Sequence, residues 1–141
     1  MMSTLTVTHR RGDQFAIAVR DHVIAVDQPT ADGGDDTAPT PTELFVASLA
    51  GCVAFYAHRY LARHSLPSDG LVVSADFAMG ARPARVERIT LAITLPEGVP
   101  PERREALLAV ASHCTVHNTL MSTPEVSIAL VEPALVAARA S

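Results

Sequence analysis

The chain has 141 residues, 48% hydrophobic and 18% charged, which is the make-up of one folded domain with a real core and too few charges for a disordered polymer. Eleven Lys and Arg against fifteen Asp and Glu leave a net charge of −4, and aromatics are only 4% with no Trp. That excludes the basic field and stacking surface that nucleic-acid binding draws on.

The N-terminus MMSTLTVTHRRGDQ has no apolar run behind its charges, so it does not read as a secretory signal. Residues 4–26 alternate. Leu5 and Val7 precede a turn at Arg10 to Asp13, then Phe15, Ile17 and Val19 share a face, and Val23, Ile24 and Val26 follow Asp21-His22. The pattern predicts a three-stranded antiparallel meander. Asp27 to Thr40 is loop chemistry, with Pro29, Pro39 and the Gly33-Gly34 pair. Its Asp27, Asp32, Asp35 and Asp36 lack calcium-loop spacing and a terminal Glu, so the loop is expected to be solvated.

Thr40-Pro41-Thr42-Glu43 is a helix start: Thr40 caps, Pro41 suits the first helical position, and Glu43 completes a capping box. The helix is expected over 41–64, stopping before Pro67 and Gly70. Phe45, Leu49, Cys52, Val53 and Tyr56 fall on one stripe. The apolar run from Leu44 to Ala57 is too short to span a bilayer, which takes about 17–25 residues, and predicts a central buried helix of a cytoplasmic protein without a membrane partner.

Residues 71–95 alternate again as a β-hairpin, through Val73, Ala75, Phe77 and Met79 and then Ile89, Leu91, Ile93 and Leu95. Pro100-Pro101-Glu102 opens a helix over 101–113 with Leu107, Leu108 and Ala111 inward. A short turn or helical piece spans 115–120, a last strand is expected over 126–131, and Pro133 to Ala140 reads as a helical tail. The order is that of a single α+β domain over 1–141. One chain of this length cannot cover a long apolar helix on all sides, so a homodimer is the natural solution.

No G-x-S-x-G elbow, phosphate loop or H-E-x-x-H occurs, and Ser48 and Ser65 have no nucleophile setting. His113, Cys114 and His117 fall short of the four ligands of a structural zinc, and His22, His58 and His64 read as surface or helix-flank residues. Two cysteines remain, Cys52 and Cys114. On the residues alone, Cys52 fits either core packing or a nucleophilic thiol, and the second role needs a nearby cation. The nearest on its helix is Arg59, two turns away, while Arg10 and Arg11 at the first hairpin tip are mobile candidates.

The run Pro41-Thr42-Glu43-Leu44-Phe45-Val46-Ala47-Ser48-Leu49-Ala50-Gly51-Cys52 resembles the P-x-E-L-(apolar)-A-x-L-A-G-C helix of the OsmC/Ohr family, the osmotically inducible and organic hydroperoxide resistance proteins. Val26-Asp27-Gln28-Pro29 with Gly33-Gly34, and Arg88-Ile89 leading to Leu95-Pro96-Glu97-Gly98, are similar to that family's flanking segments. Cys114-Thr115-Val116-His117-Asn118-Thr119-Leu120 is similar to its second-cysteine segment, usually C-P-V-H-[basic]-T-L. The resemblance runs over about residues 14–131, with Thr115 and Asn118 at the positions of the usual Pro and basic residue.

The resemblance implies an intertwined homodimer whose antiparallel sheets wrap long buried central helices. It implies thiol-dependent reduction of organic hydroperoxides, and less well of hydrogen peroxide, in oxidative or osmotic stress defence. Cys52 would attack and become a sulfenic acid, Cys114 would resolve it, and Arg11, with Arg10 in reserve, would hold the thiolate. No metal, flavin or haem is implied; an external dithiol or lipoyl-type reductant restores the thiols. In that family's peroxidases a Glu lies ten residues before the first cysteine, a position held here by Thr42; Glu43 lies nine before. Nine steps of about 100° put Glu43 on the face opposite Cys52, as suits a cap. The alternative is a non-catalytic, dimeric OsmC-like stress protein that binds a small apolar ligand at its dimer interface.

Overall fold

In the computed structural model, residues 2–133 are described. The chain opens with the predicted meander, β1 (Leu5–His9), β2 (Phe15–Val19) and β3 (His22–Val26), paired in that order. Arg10 N–H donates to the Gln14 carbonyl (2.8 Å) and Gln14 N–H to that of Arg11 (2.8 Å), closing the first turn around Gly12 at φ +52°. The register puts Val7, Ile17 and Ile24 in one cross-strand row and His9, Phe15 and Val26 in the next. Directly opposed residues share a sheet face. Leu5, Val7, Phe15 and Ile24 on that face remain exposed, because the meander packs on itself and on no helix to any substantial extent.

The 27–40 loop departs from expectation in one respect. Asp32, Asp35 and Asp36 are at or near the surface, but Asp27 is only 1% exposed. Its carboxylate accepts from Gln28 N–H (2.7 Å), Thr37 N–H (3.0 Å) and Thr37 Oγ1–H (2.7 Å). These bonds hold the charged form, led by the Thr37 N–H, and keep the carboxyl below its ordinary range. A Cβ at Gly34 would collide with the Gln28 carbonyl and lie 2.9 Å from Asp27 Oδ1, so only glycine lets the loop close on this anchor. The loop thereby fixes where β3 hands the chain to the first helix.

That helix, α1 (Pro41–Arg63), begins as predicted. Thr40 Oγ1 accepts from Glu43 N–H (3.0 Å), and Glu43 Oε1 accepts from Thr40 N–H (2.9 Å). It ends one residue early, at Arg63, with His64 as its cap. By length and composition α1 would suffice to cross a bilayer, contrary to the reading from its 14-residue apolar run. Its inner face instead packs on β4 (Val72–Gly80), β5 (Arg85–Thr94), α2 (Pro101–Ala111) and α3 (Thr115–Met121).

The β4–β5 pair places Val73 opposite Ile93, Ala75 opposite Leu91 and Phe77 opposite Ile89; Val73, Ile89, Leu91 and Ile93 pack on the core, while Phe77 is exposed. Leu49, Val53, Ala57, Tyr60 and Leu61 of α1 close the core with Val99, Leu107, Ala111 and Cys114.

Four expectations need correction. Phe45, placed on the buried stripe, is exposed, and so is Phe55. Within one chain α1 is covered on one side only, so it is not buried all round. Leu108, expected inward, is exposed, since α2 presents Leu107 and Ala111 to the core. Residues 126–131 form no strand: the segment has no regular secondary structure, with Leu130 at 103% of full exposure. Its alternation is that of a strand, but a strand requires a ladder partner and the described residues offer it none. The tail expected to be helical from Pro133 to Ala140 lies, beyond Pro133, outside the described residues.

Candidate functional site

α1 carries Cys52 at the border between its packed and uncovered faces. Leu49 and Val53 lie on the packed side, and Ser48 and Phe55 on the exposed one. Cys52 is accordingly half-buried.

Cys114 arrives from the opposite side. α2 ends at Ala111, the chain turns through Ser112 and His113, and Cys114 becomes the N-cap of α3, fully buried at 0% exposure. Its Sγ accepts from His117 N–H at 3.4 Å. Both sulfurs are free thiols, and Cys52 packs against the cluster that contains Cys114. Burial pushes the Cys114 thiol above its ordinary range; the hydrogen-bonding and charge of neighbouring Cys52 push the same way, against the opposing His117 N–H. The pair is therefore a half-buried sulfur beside a fully buried one whose surroundings favour the neutral thiol.

A third contact closes this corner. Tyr56, one turn beyond Cys52, and Thr115, the residue after Cys114, share a hydroxyl–hydroxyl hydrogen bond of 2.9 Å.

The two cysteines come together 62 positions apart in sequence, and Arg11 does not join them within this chain. It is 78% exposed at the meander tip, 3.7 Å from Asp35. Arg10 and Arg11 together line a hollow of about 490 Å³ with Gln14, Phe15 and Thr37. Arg59 stacks over Phe55, 5.6 Å from its ring centroid. Glu43 is occupied as the helix cap.

Among the described residues no three His, Cys, Asp or Glu side chains cluster as a metal site would need. His113 Nδ1 is 2.7 Å from the Ala109 carbonyl, His58 Nδ1 is 2.6 Å from Ser68 Oγ, and the His64 ring lies 4.3 Å from that of Tyr60.

Two features were not read from the sequence: the Tyr56–Thr115 bond and the Asp27 anchor. The first had a trace, because Tyr56 falls four residues after Cys52 on the same face. The second had none, since which of four loop aspartates is buried depends on how the loop closes.

The OsmC-like protein family model matches residues 33–129, which include both cysteines and the capping box. This chain belongs to the OsmC-like family. Among curated proteins none matches the sequence. Solved structures do.

A Psychrobacter arcticus protein, a candidate for osmotic stress induction and detoxification response, superposes with a TM-score of 0.77 at 23% identity, over 84% of this chain and 88% of its own. An OsmC-like protein from Mycoplasma pneumoniae gives 0.74 at 15% identity, over 87% and 89%. An organic hydroperoxide resistance protein from Elizabethkingia anophelis gives 0.65 at 20%, over 87% and 91%. At these identities the likeness establishes the fold: this OsmC-like chain has the α+β architecture of those structures.

Proposed function

We propose that this OsmC-like protein is a cysteine-based peroxidase that reduces organic hydroperoxides, and hydrogen peroxide less well, in cytoplasmic stress defence. The observation that carries the reading is the pairing of half-buried Cys52 with fully buried Cys114. A peroxide needs one reachable sulfur; a sulfenic acid needs a second one beside it, shielded from the same oxidant.

The Cys52 thiolate attacks the outer oxygen of the hydroperoxide, the O–O bond breaks, and the organic part leaves as an alcohol once protonated. Cys52 is then a sulfenic acid. Cys114 loses its proton and attacks that sulfur, releasing water and forming the Cys52–Cys114 disulfide. An external dithiol, of lipoyl type or otherwise, reduces it by exchange. No metal, flavin or haem takes part.

The activating cation in this reading is Arg11, brought by a second copy of the chain in an intertwined homodimer. The uncovered apolar surfaces support that assembly: Leu5, Val7 and Ile24 of the meander, Phe45 and Phe55 of α1, and the unpaired 126–131 segment. Exposed apolar side chains gathered on such surfaces are the kind that an interface covers. With a dithiol present, the wild type consumes a hydroperoxide catalytically and Cys52→Ser does not. Turnover by Cys52→Ser at the wild-type rate would refute the reading.

One observation favours a second reading, a binding protein for small apolar molecules. A hollow of about 360 Å³ lies between Leu49 and Val53 of α1, Ile89, Leu91 and Ile93 of β5, and His117. In that case Cys52→Ser leaves function intact.

A further inference from the structure

Two helices carry the two thiols, and among the described residues, apart from the contact between those thiols, a single side-chain hydrogen bond ties α1 to α3. It is the 2.9 Å bond between Tyr56 and Thr115. Tyr56 is one helical turn from Cys52, and Thr115 is bonded directly to Cys114. The four residues thus form a small closed frame: one turn of α1, the hydroxyl pair, one peptide step, and the gap between the sulfurs. Thr115 has a second anchor, its carbonyl accepting from Thr119 Oγ1–H at 2.8 Å. A proline at position 115 could not make the Tyr56 bond, having no side-chain hydroxyl.

We propose that the Tyr56–Thr115 pair is a positioning device that holds Cys114 against Cys52, sets the rate of disulfide closure, and thereby sets how well Cys52 resists over-oxidation. Closure is intramolecular, so its rate depends on how often the two sulfurs meet in bonding geometry. The competing fate is bimolecular. A second hydroperoxide transfers oxygen to the Cys52 sulfenic acid, giving a sulfinic acid and an alcohol, a product that thiols do not rescue. Slower closure therefore lowers the hydroperoxide concentration at which Cys52 is lost. The choice between these fates rests on the peroxidase reading above; closure itself does not.

The test measures closure in two ways, on wild type, Thr115→Val, Tyr56→Phe, the double variant and Thr115→Ser, each checked for folding by circular dichroism. In the first, Cys52 is converted to a mixed disulfide with glutathione, and release of glutathione by Cys114 is timed. In the second, the ratio of disulfide to sulfinic acid is read by intact mass across a hydroperoxide series.

Loss of one such hydrogen bond is expected to slow closure roughly three- to tenfold in Thr115→Val and Tyr56→Phe. The double variant should be no slower than either single one, because both remove the same bond. Thr115→Ser should restore the wild-type rate. The sulfinic acid should appear at hydroperoxide concentrations lower by the same factor.

Unchanged closure in both single variants, or additive slowing in the double one, would overturn the proposal. If hydroperoxide leaves wild-type Cys52 untouched, the peroxidase reading fails, while the glutathione arm still decides whether the pair positions the thiols.

Discussion

Cys114 faces Cys52 from the N-cap of α3, with no exposed surface of its own and with the His117 N–H donating to its sulfur at 3.4 Å. In the proposed peroxidase this asymmetry orders the events: the half-buried sulfur meets the oxidant first, and the buried one acts on its neighbour.

One consequence concerns pH. Burial is the largest influence raising the Cys114 thiol and persists without Cys52. In Cys52→Ser, Cys114 is therefore expected to alkylate with a midpoint still above the usual thiol value of about 8.5, measured by iodoacetamide labelling against pH. The sign for stability follows. A thiol raised in the folded state contributes fully below the ordinary thiol pKa, and its contribution is lost as pH climbs through the raised value. Wild-type stability should fall across that alkaline window more than that of Cys114→Ala.

Asp27 makes the opposite prediction. Its carboxylate is held below the ordinary range by the Thr37 and Gln28 donors, so its contribution is present above pH about 4 and lost as pH falls through the folded value. Asp27→Asn should be less stable than wild type at neutral pH, and the gap should narrow in acid. Urea unfolding at a series of pH values measures it.

Glu43 is expected to matter to folding and not to turnover. Its side chain caps Thr40 N–H at 2.9 Å. Thr40→Ala should cost about 1 kcal/mol of stability, and Glu43→Ala should lower stability while leaving hydroperoxide consumption per folded protein unchanged. A large fall in turnover for Glu43→Ala would return it to the chemistry.

Leu61 has 0% exposure at the centre of the core. Leu61→Ala should lose about 2–5 kcal/mol in denaturant unfolding, with no selective effect on the oxidation of Cys52 in the folded fraction.

Arg11 tests the assembly. Arg11→Ala should slow Cys52 oxidation by hydroperoxide, and Cys52→Ser should abolish it. If the arginine is lent across a homodimer, co-expressing the two variants yields mixed dimers with one complete site, and activity returns. No recovery in mixed dimers would place the activating group elsewhere.

Much of the fold was legible because local signals agreed with one another. Alternation marked the meander and the β4–β5 hairpin, and the Thr40–Glu43 box with Pro41 marked the start of α1 to the residue. The family motifs single out both cysteines, and the fold brings them side by side. Illegible from one chain were the features set by what covers a surface. The apolar periodicity of α1 puts Phe45 inside but does not say which faces find a partner, and the 126–131 pattern does not supply the strand it would pair with. Nor does a charge pattern reveal that one aspartate of four is buried, because Asp27 is held by backbone donors whose positions arise only when the loop closes.

The most direct test of the central claim is intact mass and free-thiol count after one equivalent of an organic hydroperoxide, on wild type and Cys52→Ser. The account predicts that wild type loses both thiols and the mass of two hydrogens without gaining oxygen, while Cys114 in Cys52→Ser stays reduced. Two thiols surviving unchanged in wild type would contradict it.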